Sequence, residues 1–166
     1  NQMDVASVRS LTGHPIAVVA QAGTLLTYVS PVTSAPGPQV DSLPFAALKF
    51  RVIDVPVGGD ATVSIYPDDM TDIDGWLDTD GTNTWTPLDP ARVTIFADHL
   101  ELRLTDGGPG DSDGLADGYV SAWGGPVRPT PVSIFSGVFV LPSGTTASGG
   151  SFVVGCPSAN YPGTIS

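Results

Sequence analysis

Thirteen residues, Asp106-Gly-Gly-Pro-Gly-Asp-Ser-Asp-Gly-Leu-Ala-Asp-Gly118, hold four aspartates and five glycines directly after the alternating run His99-Leu-Glu-Leu-Arg-Leu104. Carboxylates this crowded repel one another unless a cation sits among them. Glycine at this density lets the backbone curl tightly and turn its carbonyls inward. The stretch is therefore expected to be a calcium loop at the end of a β-strand. Asp111, Asp113 and Asp117 would supply ligands at its first, third and seventh positions, and Asp106 would close the shell. The helix-flanked calcium loop is excluded, because its sixth and twelfth positions demand Gly and Glu and fall here on Ala116 and Ala122. The competing reading is a metal-free loop held by Asx turns.

The acids fit this emphasis on loops. Of the 17 acidic residues 16 are Asp, Glu101 is the one Glu, and 15 of the 17 lie between Asp54 and Asp117. Asp is a poor helix former and a good turn and metal residue. Against 6 bases the net charge is −11, and no basic patch exists, which excludes nucleic acid as a partner. A length of 166 residues with 41% hydrophobic content suits one domain with a proper core, and 20 Gly with 16 Pro point to many turns. No segment carries the roughly 18 apolar residues of a membrane span. Asn1-Gln-Met-Asp-Val has neither a basic start nor an apolar run, so a secreted chain is expected to be already processed. The single cysteine, Cys156, excludes an internal disulfide.

Short period-two segments dominate: Asp4–Val8, Ile16–Val19, Thr24–Val29, Phe45–Ile53, Ala61–Tyr66, Arg92–Phe96, Leu100–Leu104 and Tyr119–Trp123. In Phe45–Ile53, Leu48, Phe50 and Val52 are expected on one face, with Lys49 and Arg51 on the other. The Arg92–Phe96 and Leu100–Leu104 strands are expected to pair around Ala97-Asp98. Ser30–Pro44 reads as an irregular crossing. About nine to eleven such strands, with long Asp/Gly-rich loops, predict an all-β fold, a sandwich of Ig-like or jelly-roll-like kind over residues 1–130.

Residues 131–166 differ, since nothing after Arg128 carries a side-chain charge. Val132–Leu141 reads as a long apolar strand, Ser143–Gly150 as a linker of small residues and Ser151–Val154 as a shorter strand. Such strands need burial on both faces, either in the same sandwich or in a neighbour's. Val132, Ile134, Phe135, Val138, Phe139, Val140, Phe152, Val153 and Val154 are the candidate assembly residues.

A second acidic stretch, residues 68–81, holds six aspartates in fourteen residues. Asp72, Asp74, Asp78 and Asp80 form a second candidate cation cluster, which either holds its own ion or lends a ligand to the first. Trp76, Trp85 and Trp123 flank the acidic loops, where they either cover the end of the core or offer stacking faces to a glycan. His14 and His99 stand outside any HExxH, GxSxG or CxxC context, and no catalytic constellation is expected.

Leu104-Thr-Asp-Gly-Gly-Pro-Gly-Asp-Ser-Asp-Gly-Leu-Ala-Asp-Gly-Tyr-Val120, followed by Gly124-Gly-Pro126, resembles the closing stretch of the choice-of-anchor U domain, a bacterial extracellular surface module. Leu43–Val52 is similar to that family's proline–aromatic strand opening, and Gly59–Pro67 to its turn-then-strand ending in proline. The match covers about residues 40–127. Asp117 replaces the family's usual Asn, and Ala122-Trp123 stand where an Asp-Pro pair is common. The resemblance implies a secreted or surface-displayed, non-enzymatic role. Together with the tail, it gives the expectation of an extracellular structural protein. This would be a calcium-stabilised sandwich that assembles with copies of itself into a filament or surface layer by C-terminal strand exchange. A monomeric adhesion module that binds surface glycans is the alternative.

Overall fold

The computed structural model describes residues 3–32, 43–80 and 84–128, together with strand residues 139–140 and 146–147. The chain divides into two compact units, Asn1–Pro129 and Thr130–Ser166. In the first, the strands are β1 (Val5–Arg9), β2 (Pro15–Ala20), β3 (Leu25–Val32), β4 (Ala47–Ile53), β5 (Asp60–Pro67), β6 (Gly75–Thr79), β7 (Trp85–Pro87), β8 (Val93–Ile95), β9 (Leu100–Thr105) and β10 (Val120–Val127). They form two five-stranded sheets, β1-β2-β5-β9-β8 and β3-β4-β10-β6-β7. Every pairing is antiparallel. The all-β sandwich expected from the strand spacing is what the chain forms.

Alternation drives the packing. In β5, Ala61, Val63 and Ile65 point inward and stand opposite Leu104, Leu102 and Leu100 of β9, all 1% exposed or less. Ile16 and Val18 of β2 extend this layer, and Leu26, Leu48, Phe50, Val52, Trp76 and Val120 complete the core from the other sheet. Burying a side chain of this size contributes roughly 1.5–3 kcal/mol. Leu48, Phe50 and Val52 face the core while Lys49 and Arg51 face out, as the pattern of Phe45–Ile53 predicts.

The second sheet is apolar on its outer face too, where Leu43, Ala47, Leu77 and Trp85 cluster with Val32, Trp123 and Val127. That double burial is why β10 shows little alternation. Gly124 is required in β10, because a Cβ there would collide with the Leu77 carbonyl and the Trp76 indole. One side of the sandwich is partly closed by Met3, whose amide donates to the Leu26 carbonyl at 3.0 Å and whose carbonyl accepts from Leu26 at 2.6 Å.

Two elements differ from the expected pattern. The second acidic stretch leads into a hairpin, β6–β7, which supplies two strands of the second sheet. Its alternation is masked because Asp78 shares the inward face with Trp76. In the second unit, β11 (Phe139–Val140) pairs with β12 (Thr146–Ala147) in a sheet of its own, so Thr146 and Ala147 are strand rather than linker. No helix of the described residues is long and apolar enough to cross a membrane.

Candidate functional site

β9 ends in one sheet and β10 begins in the other, so the connection Asp106–Tyr119 must bridge the end of the sandwich. Asp106 opens it and is only 2% exposed. Its Oδ2 accepts from the Gly58 amide at 2.8 Å and the Gly118 amide at 3.0 Å, and its Oδ1 accepts from Asp117 at 3.2 Å. One carboxylate thereby stitches the β4–β5 turn to the far end of the loop. Asp111 does the same nearby, accepting from the Gly107 amide at 2.8 Å and from Ser121, on β10, at 2.9 Å. Asp113 and Asp117 are exposed and close local turns, accepting from Leu115 and Tyr119 at 3.1 Å each. Gly110 at φ +84° is needed where the loop folds back, since a Cβ there would run into Leu104.

These bonds decide the loop's electrostatics. Desolvation works against ionising Asp106, but the amides of Gly58, Gly118, Asp117 and Tyr119 together outweigh it and hold its carboxyl below the usual range. For Asp111 desolvation prevails over the Gly107 and Ser121 amides, and with the Asp113 charge it raises the carboxyl.

The second acidic stretch meets this loop at one place. Asp78 of β6, Asp80, Thr84, Thr86 of β7, Asp111 and Ser112 line a cavity of about 170 Å³. Asp78 Oδ1 and Ser112 Oγ are buried there without a hydrogen-bond partner. Burial pushes the Asp78 carboxyl up to about 7, and the charges of Asp111 and Asp80 add to the rise against the Thr79 amide. Carboxylate and hydroxyl oxygens around a small cavity are the donor set of a hard cation such as calcium. Among the described residues, however, no three His, Cys, Asp or Glu side chains stand close enough together to hold a metal ion. The four carboxylates Asp106, Asp111, Asp113 and Asp117 do not form one shell: the first two are occupied by backbone amides of different segments.

The remaining candidates fall elsewhere. Asp72 and Asp74 are exposed in the β5–β6 connection and do not line the cavity. Trp76 is 1% and Trp85 7% exposed, in the two apolar clusters, and neither offers a ring face to a glycan. Trp123 is half-buried on the outer face, with Lys49 Nζ 5.1 Å from its ring centroid. His14 bonds Asp68 at 3.0 Å, and His99 lies stacked between Tyr66 and Phe96. Asp60 pairs with Arg92 and Arg103 at 3.7 and 3.8 Å. Val132, Ile134, Phe135, Val138, Phe152, Val153, Val154 and Cys156 lie outside the described residues. Phe139 and Val140 are placed as β11. Ser112, Thr84 and Thr86 carried no signal as sequence, because a hydroxyl residue in a loop looks like any other.

Comparison with family models, with curated proteins and with solved structures finds no match for this chain.

Proposed function

We propose that this chain is a non-enzymatic structural module of an extracellular surface: a calcium-stabilised β-sandwich that assembles with copies of itself into a filament or layer. The observation that carries the reading is the partition of charge. The sandwich unit, which ends at Pro129, bears every charged side chain, and the second unit, from Thr130, bears none. A compact chargeless unit lacks the repulsion that keeps small domains apart in solution. Strands without charge are suited to adding to an open sheet edge, and a head-to-tail contact of that kind does not close. The resemblance of residues 104–126 to the choice-of-anchor U domain supports display at a bacterial surface.

Calcium belongs to the same proposal. Its place is the cavity where Asp78 and Asp80 meet Asp111 and Ser112, and binding would draw these oxygens together and satisfy the two buried ones. Glycan adhesion is the lesser reading, because Trp76 and Trp85 are enclosed.

Sedimentation of the full chain over a range of concentrations, with electron microscopy of the heaviest species, tests the assembly. Open-ended oligomers are expected, and they should disappear on deletion of residues 143–166. A full chain that stays monomeric at every concentration overturns the proposal, and unchanged assembly after the deletion removes strand exchange from it.

A further inference from the structure

Asp-Gly is the pair at which a protein backbone rearranges most readily, because the glycine amide has no side chain to shield it. The chain has five such pairs, Asp74-Gly75, Asp80-Gly81, Asp106-Gly107, Asp113-Gly114 and Asp117-Gly118. Three share the β9–β10 connection, and their surroundings differ. The Gly107 amide donates to Asp111 Oδ2 at 2.8 Å and the Gly118 amide to Asp106 Oδ2 at 3.0 Å. Asp106 is itself fastened by three backbone amides. For either of these pairs to react, the loop must first open. Gly75 stands opposite Val127 in the β6–β10 ladder, and Gly81 lies outside the described residues.

Asp113-Gly114 is different in each respect. Both residues are exposed, and the Gly114 amide has no hydrogen-bond partner among the described residues. The space beside Gly114 is open, with no atom within 4 Å of where a Cβ would stand. Asp113 Oδ1 accepts from the Leu115 amide at 3.1 Å, which turns the carboxyl back over the backbone that follows it. We propose that Asp113-Gly114 is a covalent modification site, at which the chain isomerises spontaneously to isoaspartate while its neighbours in the same loop are protected.

The Gly114 nitrogen attacks Asp113 Cγ. The N–Cγ bond forms, the Cγ–OH bond breaks, and water departs with the amide proton, which leaves a five-membered succinimide. Water then adds to one of the two ring carbonyls. Addition at Cγ regenerates aspartate. Addition at the main-chain carbonyl breaks its bond to Gly114 and leaves the chain running through Cγ, one methylene longer. Mass and charge end unchanged, and no co-reactant other than water takes part. The added length falls at the loop tip, outside the bonds that Asp106 and Asp111 make.

The test is prolonged incubation of the full chain at neutral pH in heavy-oxygen water, followed by peptide mapping with fragmentation that separates isoaspartate from aspartate. In the folded protein, isoaspartate and heavy oxygen should accumulate at Asp113 at least about tenfold faster than at Asp106 or Asp117, and in urea the three rates should converge. In Asp113→Glu the signal of that peptide should vanish. Equal rates at the three aspartates in the folded chain, no label at Asp113, or a signal that persists in D113E would each overturn the proposal.

Discussion

The two acidic stretches of this protein look alike in composition and are treated in opposite ways by the fold. In the β9–β10 loop the most deeply buried carboxylate, Asp106, collects the amides of Gly58, Asp117 and Gly118 and is held in its charged form. In the β5–β7 stretch the most buried carboxylate, Asp78, keeps one oxygen without a partner and faces two further carboxylates across a cavity. It is driven towards its neutral form. Burial alone therefore says little about what an aspartate does for stability. What decides is how many backbone donors the surrounding turns present to it.

The comparison breaks if removing the two carboxylates has the same sign of effect. Asp106→Ala orphans three amides at the end of the sandwich and should lower Tm by about 10 °C in calorimetry. A change within about 2 °C would mean that the loop does not depend on its clasp. Asp78→Asn, measured with chelator present, should instead raise Tm by about 5 °C at pH 8 and leave it nearly unchanged at pH 4. The sign follows from proton binding. With a folded value of about 7 against an ordinary one near 3.9, Asp78 keeps in the folded state, between these limits, a proton that the unfolded chain has lost, so its contribution falls as pH rises and levels off above about 7. Asp106 behaves in the reverse sense. Its contribution is in place above the ordinary carboxylate value and is lost as pH falls through its lower folded value.

Calcium sharpens the contrast further. Saturating calcium should raise Tm of the unaltered chain by roughly 3–5 °C through binding to the folded state alone, and should do nothing for D78N. An equal rise in D78N would place the ion away from the cavity, and no rise in either would remove calcium from the proposed function. The smallest effect is expected at the loop's rim. Asp117→Asn keeps the oxygen that accepts from Tyr119, and its Tm should stay within about 1 °C. A large loss there would show that charge, rather than the Asx turn, is what this position supplies.

Sandwich class and most strands were legible because one apolar face per strand leaves a period of two. Alternation with polar neighbours is enough to turn Ala61, Val63 and Ile65 inward, and the same holds for Leu100, Leu102 and Leu104. The β6–β7 hairpin was not legible, since aspartates and threonines interrupt the pattern that would mark it, and its outward face is as apolar as its inward one. The β9–β10 loop was legible as a tight, carboxylate-rich connection. Which atoms those carboxylates would meet was not.

By itself the sequence determined where the chain must turn, which side chains must leave water, and where its charge ends, because these follow from residues close together along the chain. The tertiary structure alone decided that Asp106 would be met by the turn at Gly58 and Asp78 by the side chain of Asp111. Those encounters depend on β6 lying next to β10 and on the β4–β5 turn reaching the end of β9. A carboxylate's charge state is set by whatever donors and charges stand within a few ångströms of it, and only the packed sheets bring them there.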